Sequence, residues 1–313
     1  MRAAVCVASH RRPVRLRWLL DALTEQTIED FEVVVCHDDG PGSETATLLA
    51  DHPLGERLRV VEPAGRSDPG HQRNRAWRAA GAPLIVFTDD DCRPPAAWLE
   101  RLLAAADAHP GAVVQGSVAP DPDEAHLLAL APHARTLQVD PPAPYAQCAN
   151  IAYPRELLER IGGFDEREPP LQGGEDTDLC RRAIEAGAAY VGAADALTWH
   201  AVEPGSLPSR LRSIARWQHL AFVVARHPQM REHLFARVFW RPSHAALPFA
   251  LYGLARRRPL LALPWALLAR PRYGNSPRGL ARAASELPGR LVVETTELGT
   301  AVRGSARYRT LFL

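Results

Sequence analysis

The first 120 residues alternate between short apolar runs and amphipathic segments. Apolar runs at residues 3–8, 31–36, 58–61 and 83–88 predict strands, and the spacing of apolar side chains between them predicts helices over residues 14–26, 43–49 and 70–80. Strands that alternate with helices in this way indicate βαβ units. We therefore predict an α/β fold of the Rossmann type, with a mainly parallel sheet and flanking helices.

The middle of the chain is less regular. The proline-rich stretch 121–144 predicts a long loop, residues 147–153 form a strand-like apolar run, and a helix is expected over about 176–186. The first turn of that helix would carry Asp176 and Asp178, where the helix macrodipole favours carboxylates.

From residue 204 onward the sequence consists of apolar segments rich in arginine. Residues 207–226 predict one amphipathic helix, and two 11-residue apolar runs, 245–255 and 259–269, flank Arg256-Arg257-Arg258. A helix that crosses a bilayer needs about 20 apolar residues, so neither run spans a membrane alone. We predict a helical hairpin that lies in or dips into the membrane interface, anchored by Trp240, Tyr252, Trp265 and the arginine side chains.

The charge distribution divides the chain at the same place. All 37 basic side chains are arginine. Residues 1–203 carry 19 of them against 32 acidic side chains, a net charge of −13, whereas residues 204–313 carry 18 against 4, a net charge of +14. We therefore predict one domain over residues 1–203 and a basic, helical, membrane-associating region over residues 204–313.

Composition limits the class of protein. With 46% hydrophobic and 23% charged residues, the chain is expected to be globular, and its first residues do not resemble a signal peptide. The five cysteines are scattered and form no CxxC pair. That usage is typical of a reducing compartment and argues against disulfides or a thiolate zinc site.

The clearest chemical signal is Asp89-Asp90-Asp91 at the end of a predicted strand. Adjacent carboxylates repel each other, and a hard divalent cation such as Mg²⁺ or Mn²⁺ relieves that repulsion. The alternative is a solvated acidic turn that caps the next helix. Asp38-Asp39 ends the second predicted strand. Because ligands of open α/β sheets bind outside the carboxyl ends of the strands, both acidic clusters are expected at one crevice.

Three further positions carry candidate chemistry, each with a structural alternative. Residues 70–75 begin a helix with cationic side chains, which favours a phosphate or is simply solvated. Glu175-Asp176 follows two glycines, where a carboxylate acts as a general base or caps the helix. His200 ends an apolar stretch and is either structural or, beside a carboxylate-bound metal, an imidazole ligand.

Six short motifs, taken in their order and spacing, resemble the GT-A-fold glycosyltransferases of the large inverting family 2. They lie at residues 5–13, 33–40, 72–75, 86–91, 162–166 and 174–179, so the resemblance covers roughly the first 205 residues. The strongest are Val-Phe-Thr-Asp-Asp-Asp, Gly-Gly-Phe-Asp-Glu and Gly-Glu-Asp-Thr-Asp-Leu, which are the last three of these. The resemblance implies a nucleotide-sugar donor and a GT-A fold.

The resemblance also implies roles for individual residues. Asp91 and His200 would bind a divalent metal, Mn²⁺ or Mg²⁺, and Asp176, supported by Glu175, would be the catalytic base. The nucleotide sugar would be held by Ser9, Asp38, Asp39, Asn74, Arg75, Asp89 and Asp90. One departure from the family pattern is His10-Arg11-Arg12, which stands where the family usually has Tyr-Asn or Tyr-Asn-Arg after the first strand.

The resemblance implies a metal-dependent inverting hexosyltransferase. Its partners would be a nucleotide-diphosphate sugar, with UDP favoured, a lipid-linked or cell-envelope glycan acceptor, and an anionic membrane surface. Processive synthases of the family carry Gln-x-x-Arg-Trp, and here Ser213 stands where that glutamine would be. We therefore expect a single addition to each acceptor.

Two hypotheses of other classes stay open at this point. The chain could be an inactive, membrane-associated protein that binds nucleotide sugars, or its basic half could bind nucleic acid. Nucleic acid is not an expected partner, because the arginines of that half flank apolar runs. The expected location is cytoplasmic, peripheral or hairpin-anchored at the inner face of the cell membrane.

Overall fold

The computed structural model describes residues 1–62, 67–167, 171, 173–271 and 273–313. The chain divides into two compact units. The first comprises residues 1–130 and 135–203, and the second comprises residues 131–134 and 204–313.

The first unit is built on one sheet of eight strands. These are β1 (Ala3–Ser9), β2 (Phe31–His37), β3 (Leu58–Val61), β4 (Leu84–Asp89), β5 (Cys92–Arg93), β6 (Val113–Pro120), β7 (Ile151–Pro154) and β8 (Tyr190–His200). Their order is β3-β2-β1-β4-β7-β6-β8-β5. The first four strands of this order are parallel, β7 is antiparallel to both neighbours, and β5 is antiparallel to β8. The sheet is therefore parallel in one half and mixed in the other.

Seven described α-helices accompany this sheet. They are α1 (Pro13–Thr24), α2 (Glu44–Ala50), α3 (Pro69–Ala79), α4 (Trp98–Ala108), α5 (Leu127–Leu130), α6 (Arg155–Ile161) and α7 (Glu175–Glu185). The start of α3 shows how sequence sets a boundary. Asp68 accepts from the backbone N–H groups of Gly70 and His71, and Pro69 occupies the first turn, where a missing N–H costs nothing.

The alternation of side chains along β1 separates two hydrophobic cores. Ala3, Val5 and Val7 face the core formed with α1, α2 and α4, whereas Ala4 and Cys6 face the core formed with α3, α6 and α7. Both faces are covered by helices, which is why β1 and β2 read as continuous apolar runs. The inner face of α1 shows the energetic basis, because four leucines are fully buried there and each contributes about 1.5–3 kcal/mol.

The second unit is helical in its described part. It contains α8 (Leu207–Ile214), α9 (Leu220–Arg226), α10 (Pro242–Ala255), α11 (Leu263–Ala269) and α12 (Pro277–Tyr308). Short 3-10 helices precede α9, α10 and α11, at Ala215–His219, Pro228–His233 and Pro259–Ala262. α10 and α11 pack through Leu247, Ala250, Trp265 and Ala269, against leucines of α12. No helix in the described part of the chain is both long and apolar enough to cross a bilayer.

The α/β class and the strands and helices predicted in the first 90 residues are confirmed, with ends shifted by one or two residues. Between residues 90 and 120, the strands β5 and β6 and the helix α4 have no counterpart in the prediction. The predicted loop 121–144 contains the short helix α5. Of the predicted strand-like run 147–153, only the last three residues form a strand, which continues to Pro154. All five cysteines are buried and unpaired.

Two predictions for the second unit are wrong. Residues 207–226 do not form one helix, because the 3-10 segment Ala215–His219 separates α8 from α9. In that segment the backbone carbonyl of Gln218 lies against Gly304 of α12. Trp265 is not an interfacial anchor, because it is 4% exposed and its indole N–H donates to Glu294 Oε2 over 2.8 Å. Trp240 is partly buried and packs edge-on against Trp217, whereas Tyr252 is 54% exposed.

Candidate active site

The sheet order brings the two acidic clusters to one edge. β1 lies between β2 and β4 and is parallel to both, with Ser9 opposite His37 and Ala8 opposite Asp89. The carboxyl ends of the three strands therefore meet. Residues 38–39 follow β2 directly, and residues 89–91 end and follow β4.

Asp38 and Asp39 are held by the loop that connects β1 to α1. His10 Nδ1 lies 2.6 Å from Asp38 Oδ1, and the backbone N–H of Arg11 donates to Asp39 Oδ1 over 2.7 Å. Asp38 also accepts from the Ser67 N–H over 3.0 Å. Burial raises the pKa of Asp38, but the hydrogen bonds from Ser67 and His10 outweigh burial and lower the pKa below its usual value. Both carboxyl groups therefore already have protein partners.

A set of ligand atoms suited to a metal ion lies at the end of β4. Asp89, Asp91 and His200 each offer one atom, and these atoms lie within 4.8 Å of one another. His200 reaches this place because it ends β8 and pairs with Cys92 of β5, the residue after Asp91. Its Nε2 is 3.4 Å from Asp91 Oδ1. Carboxylate oxygens with one imidazole suit Mn²⁺ or Mg²⁺, so these residues fit the implied metal.

Asp90 is turned away from that triad. Its side chain is 8% exposed, Ser9 Oγ donates to its Oδ2 over 2.8 Å, and Arg12 Nη1 lies 3.3 Å from its Oδ1. Burial raises the pKa of Asp90 to about 7, the neighbouring Asp91 carboxylate adds to the rise, and Arg12 and Ser9 oppose it. Asp90 therefore binds a proton more readily than an ordinary aspartate does.

Arg73 in α3 connects this cluster to a second pair of acids. Its side chain is 7% exposed, and its guanidinium donates to Asp89 Oδ1 over 2.7 Å and to Asp176 Oδ1 over 3.2 Å. Glu175 Oε1 lies 3.5 Å from the same group. The sequence does not show which of Arg73 and Arg75 lies on the inward face of α3. The role of Arg73 is therefore not predicted by the sequence.

Asp176 and Glu175 begin α7. Gly174 precedes them with φ 86°, a left-handed conformation that disfavours residues with a Cβ. Asp176 Oδ2 accepts from the Cys148 N–H over 3.0 Å. Burial raises the pKa of Asp176, and Arg73 opposes that rise. Burial together with the Asp176 charge raises the pKa of Glu175 to about 7.

Asn74 lies in the packing behind the site. It is fully buried, its amide donates to the Phe164 carbonyl over 2.9 Å, and its Oδ1 accepts from the Trp77 indole over 2.9 Å. Gly163 is needed beside it, since a Cβ there would stand 2.4 Å from Asn74 Oδ1 and φ is 71°. Arg75 is exposed on α3. Contact of either residue with a nucleotide stays a prediction.

Solved structures with known ligands share this fold. The mannosyltransferase PcManGT from Pyrobaculum calidifontis, in complex with GDP-Man and Mn²⁺, matches 98% of this chain and 87% of its own with a TM-score of 0.59 and 23% identity. TarS 1–349 from S. aureus, in complex with UDP-GlcNAc, matches 99% of this chain and 92% of its own with a TM-score of 0.54 and 16% identity. At these identities the likeness shows the fold alone, which is of the GT-A type.

The sequence comparison identifies the family. Residues 4–162, about half of the chain, match Glycosyl transferase family 2, and the chain belongs to this family. The Pre-mycofactocin glycosyltransferase of Mycobacterium tuberculosis is 28% identical over 223 residues, which cover 68% of this chain and 41% of that protein. The Validoxylamine A glucosyltransferase of Streptomyces hygroscopicus subsp. jinggangensis is 28% identical over 214 residues, which cover 56% of this chain and 50% of that protein. The chain thus spans half or less of the length of these relatives.

Proposed function

We propose that the chain transfers a single sugar from a nucleotide-diphosphate donor to a hydroxyl group of a lipid-linked or cell-envelope glycan acceptor, with inversion at the anomeric carbon. The observation that carries the proposal is the contact of one buried guanidinium, Arg73, with Asp89 and Asp176. Such a contact holds a donor-side carboxylate and a base at a fixed separation, and fixed separation is what a displacement between two bound substrates requires.

The donor side of the site would consist of the ends of β1, β2 and β4. Ser9, Asp38 and Asp39 would face the nucleobase, and Asp89 would face the ribose. Asp91 and His200, with Asp89 beside them, would hold Mn²⁺ or Mg²⁺. When bound, the cation would offset negative charge on the departing diphosphate. The Mn²⁺ and GDP-Man in the PcManGT complex and the UDP-GlcNAc in the TarS complex support this class of donor, with UDP as our favoured nucleotide.

The acceptor side would consist of Asp176 and Glu175. Asp176 accepts the proton of the acceptor hydroxyl as that oxygen attacks the anomeric carbon from the face opposite the diphosphate. One C–O bond forms while the bond to the diphosphate breaks, so the anomeric configuration inverts. Arg73 favours the ionised form of Asp176 before the proton arrives, and Glu175 lines the acceptor side next to it.

Replacement of the base tests the catalytic assignment. Asp176→Asn keeps the size of the side chain but cannot accept a proton, so we expect kcat to fall by at least about 100- to 10,000-fold, the usual contribution of general base catalysis. Donor dissociation constants, measured by calorimetry with Mn²⁺, should change less than about threefold, because Asp176 contacts the acceptor. Turnover is followed as release of nucleoside diphosphate.

The matched control is Asp195→Asn, an exposed aspartate of β8 in the same unit, which should retain full turnover. An Asp176→Asn variant that keeps wild-type kcat would refute the base assignment. Equal loss of donor binding and turnover would instead place Asp176 on the donor side.

We also propose that the partner of the second unit is an anionic membrane surface. The surface in question, the hairpin face, consists of large apolar side chains of α10, α11 and the 3-10 segment between them: Phe249 (65% exposed), Tyr252 (54%), Leu254 (47%), Leu260 (82%), Leu263 (53%), Leu267 (56%) and Leu268 (55%). Leaving so many large apolar side chains of three neighbouring segments in water is costly. None of these helices spans a bilayer, so the hairpin face would lie in the interface.

Charge identifies the kind of membrane. Residues 233–285 contain nine arginines and no acidic residue, and Arg256-Arg257-Arg258 lies within the hairpin itself. Each arginine near an anionic leaflet contributes about 1 kcal/mol. An acidic protein surface would offer the charge without the apolar environment, so anionic lipid fits both features of the hairpin face.

A further inference from the structure

Arg12 follows His10 and Arg11, which stand where the family usually has tyrosine and asparagine, and its guanidinium lies beside the Asp89–Asp91–His200 triad. Its Nη1 lies 2.6 Å from Asp91 Oδ2, and its Nη2 lies 3.1 Å from Glu203 Oε1. Glu203 is held in turn by Arg135, whose Nη2 donates to Glu203 Oε2 over 2.6 Å. A chain of alternating charges, from Arg135 through Glu203 and Arg12, therefore ends on Asp91.

The two oxygens of Asp91 serve different neighbours. Oδ2 accepts from Arg12, whereas Oδ1 is the atom that lies 3.4 Å from His200 Nε2. Among the described hydrogen bonds and ion pairs of Arg12, none involves Asp89 or His200. The guanidinium and the Asp89–Asp91–His200 triad thus share only Asp91, through opposite oxygens.

We propose that Arg12 is a positioning residue for the metal site: it holds Asp91 Oδ2 so that Oδ1 stays directed at His200 as a ligand for a divalent cation. The inference rests on the proposed function, because it concerns the same cation.

Arg12 has two opposing effects on the affinity of the site for a cation. Their relative sizes decide whether Arg12 strengthens or weakens cation binding. Its positive charge repels a nearby cation, but the Arg12 side chain is 43% exposed, so water screens that repulsion. The Asp91 side chain is 7% exposed, and loss of its charged partner leaves a buried oxygen unsatisfied and free to rotate toward the triad side. Partners that orient a metal ligand contribute about 10- to 100-fold in metal affinity. The orienting effect is therefore the larger one.

The test is a titration of the full chain with Mn²⁺, followed by the electron paramagnetic resonance signal of free Mn²⁺, without nucleotide and with UDP. Arg12→Gln should weaken Mn²⁺ binding about 10- to 100-fold. Arg12→Lys should lie between this variant and the wild type, because it keeps the charge but cannot reach Asp91 and Glu203 together. Glu203→Gln should weaken binding less than Arg12→Gln and in the same direction, because it removes only the support of Arg12.

The matched control is Arg17→Gln, an exposed arginine in the same helix region, which should bind Mn²⁺ as the wild type does. Thermal unfolding of each variant establishes that it is folded, and Glu203→Gln carries the test if Arg12→Gln is not. Unchanged or tighter Mn²⁺ binding by Arg12→Gln, or by Glu203→Gln in its place, overturns the inference and leaves the proposed metal site intact. Absence of Mn²⁺ binding by the wild type, with and without UDP, overturns both.

Discussion

Arg73 combines two properties that are rarely found together in one side chain: it is almost completely buried, and it contacts three carboxyl groups. An unpaired buried charge would be costly, so the acids and the arginine depend on each other. Asp89 and Asp176 are 87 positions apart in the chain and meet because this side chain lies between them. Charge pairing with Arg73 therefore holds Asp89 and Asp176 at the same site.

Removal of Arg73 should move the pH dependence of turnover. Burial raises the pKa of Asp176 and Arg73 is the largest influence that opposes this rise, so removal of the guanidinium should raise the pKa further. Because the base must be ionised, the acidic limb of the kcat–pH profile of Arg73→Gln should shift to higher pH, and Arg73→Lys should shift it less. Arg75→Gln, the same charge change at an exposed position, should leave the midpoint unchanged. A uniform loss of kcat with an unmoved midpoint would show that Arg73 is only structural.

At the scale of elements, α12 organises the second unit through a buried acid. Glu297 is 1% exposed, and its carboxylate pairs with Arg210 of α8 over 2.9 Å and with His244 of α10 over 3.2 Å. Burial raises the pKa of Glu297, but His244 and the arginines Arg241 and Arg210 outweigh burial and lower it below the ordinary 4.5. One residue of α12 thus joins three segments that are far apart in sequence.

Neutralising this acid should destabilise the unit. Glu297→Gln leaves the cationic partners without a counter-charge, and we expect a loss of about 3 kcal/mol in the free energy of unfolding at pH 7, measured with urea. Because the folded pKa is lowered, the stabilisation is present above pH 4.5 and is lost as the pH falls through the folded value. The difference in the free energy of unfolding between the wild type and Glu297→Gln should therefore become smaller at acidic pH. Glu232→Gln, at an exposed position, is the control, and a pH-independent difference would contradict the charge argument.

A second prediction at this scale concerns membrane binding by the hairpin face. Leu260→Ser combined with Leu267→Ser should weaken binding to phosphatidylglycerol vesicles at least about tenfold in flotation assays, because two leucines no longer enter the interface. Replacing residues 256–258 with glutamine should weaken binding about 100-fold, at about 1 kcal/mol per arginine. Neither set should change the unfolding transition much, since these side chains are exposed.

The control for the hairpin variants is Leu130→Ser, which is 71% exposed in the first unit. It should float as the wild type does. Equal binding of the wild type to neutral phosphatidylcholine vesicles would exclude the role of the arginines. Concentration-dependent dimers in place of vesicle binding would show that a second copy of the chain covers the hairpin face instead.

At the scale of the whole molecule, we expect stability to depend on donor ligands that bind the first unit. A nucleotide sugar that binds the folded first unit stabilises it by mass action, by about 2.7 kcal/mol at 100 times its Kd. We expect UDP-sugars with Mn²⁺ to raise the unfolding temperature more than GDP- or dTDP-sugars do. Chelation by EDTA should remove most of this rise, because Asp91 and His200 would then lack their cation. A rise that is identical in excess EDTA would contradict a metal-dependent donor site.

The sequence alone determined the local features of this protein. Apolar runs four to six residues long set the first strands, alternate side chains set the two core faces, and capping residues such as Asp68 set helix ends, because each depends on neighbours within a few positions. The acidic clusters could be located at strand ends for the same reason. The exposed apolar positions of α10 and α11 could be identified only as a group, since the pattern does not show that Trp265 turns inward.

The tertiary structure decided which of these features meet. His200 reaches Asp91 through the pairing of β5 with β8, Arg73 reaches Asp176 from α3, and Arg12 reaches both Asp91 and Glu203. These contacts join residues that are 79 to 191 positions apart in the chain. Their existence depends on sheet order and on which face of each helix is buried, and both are settled by packing of the whole unit rather than by any local pattern.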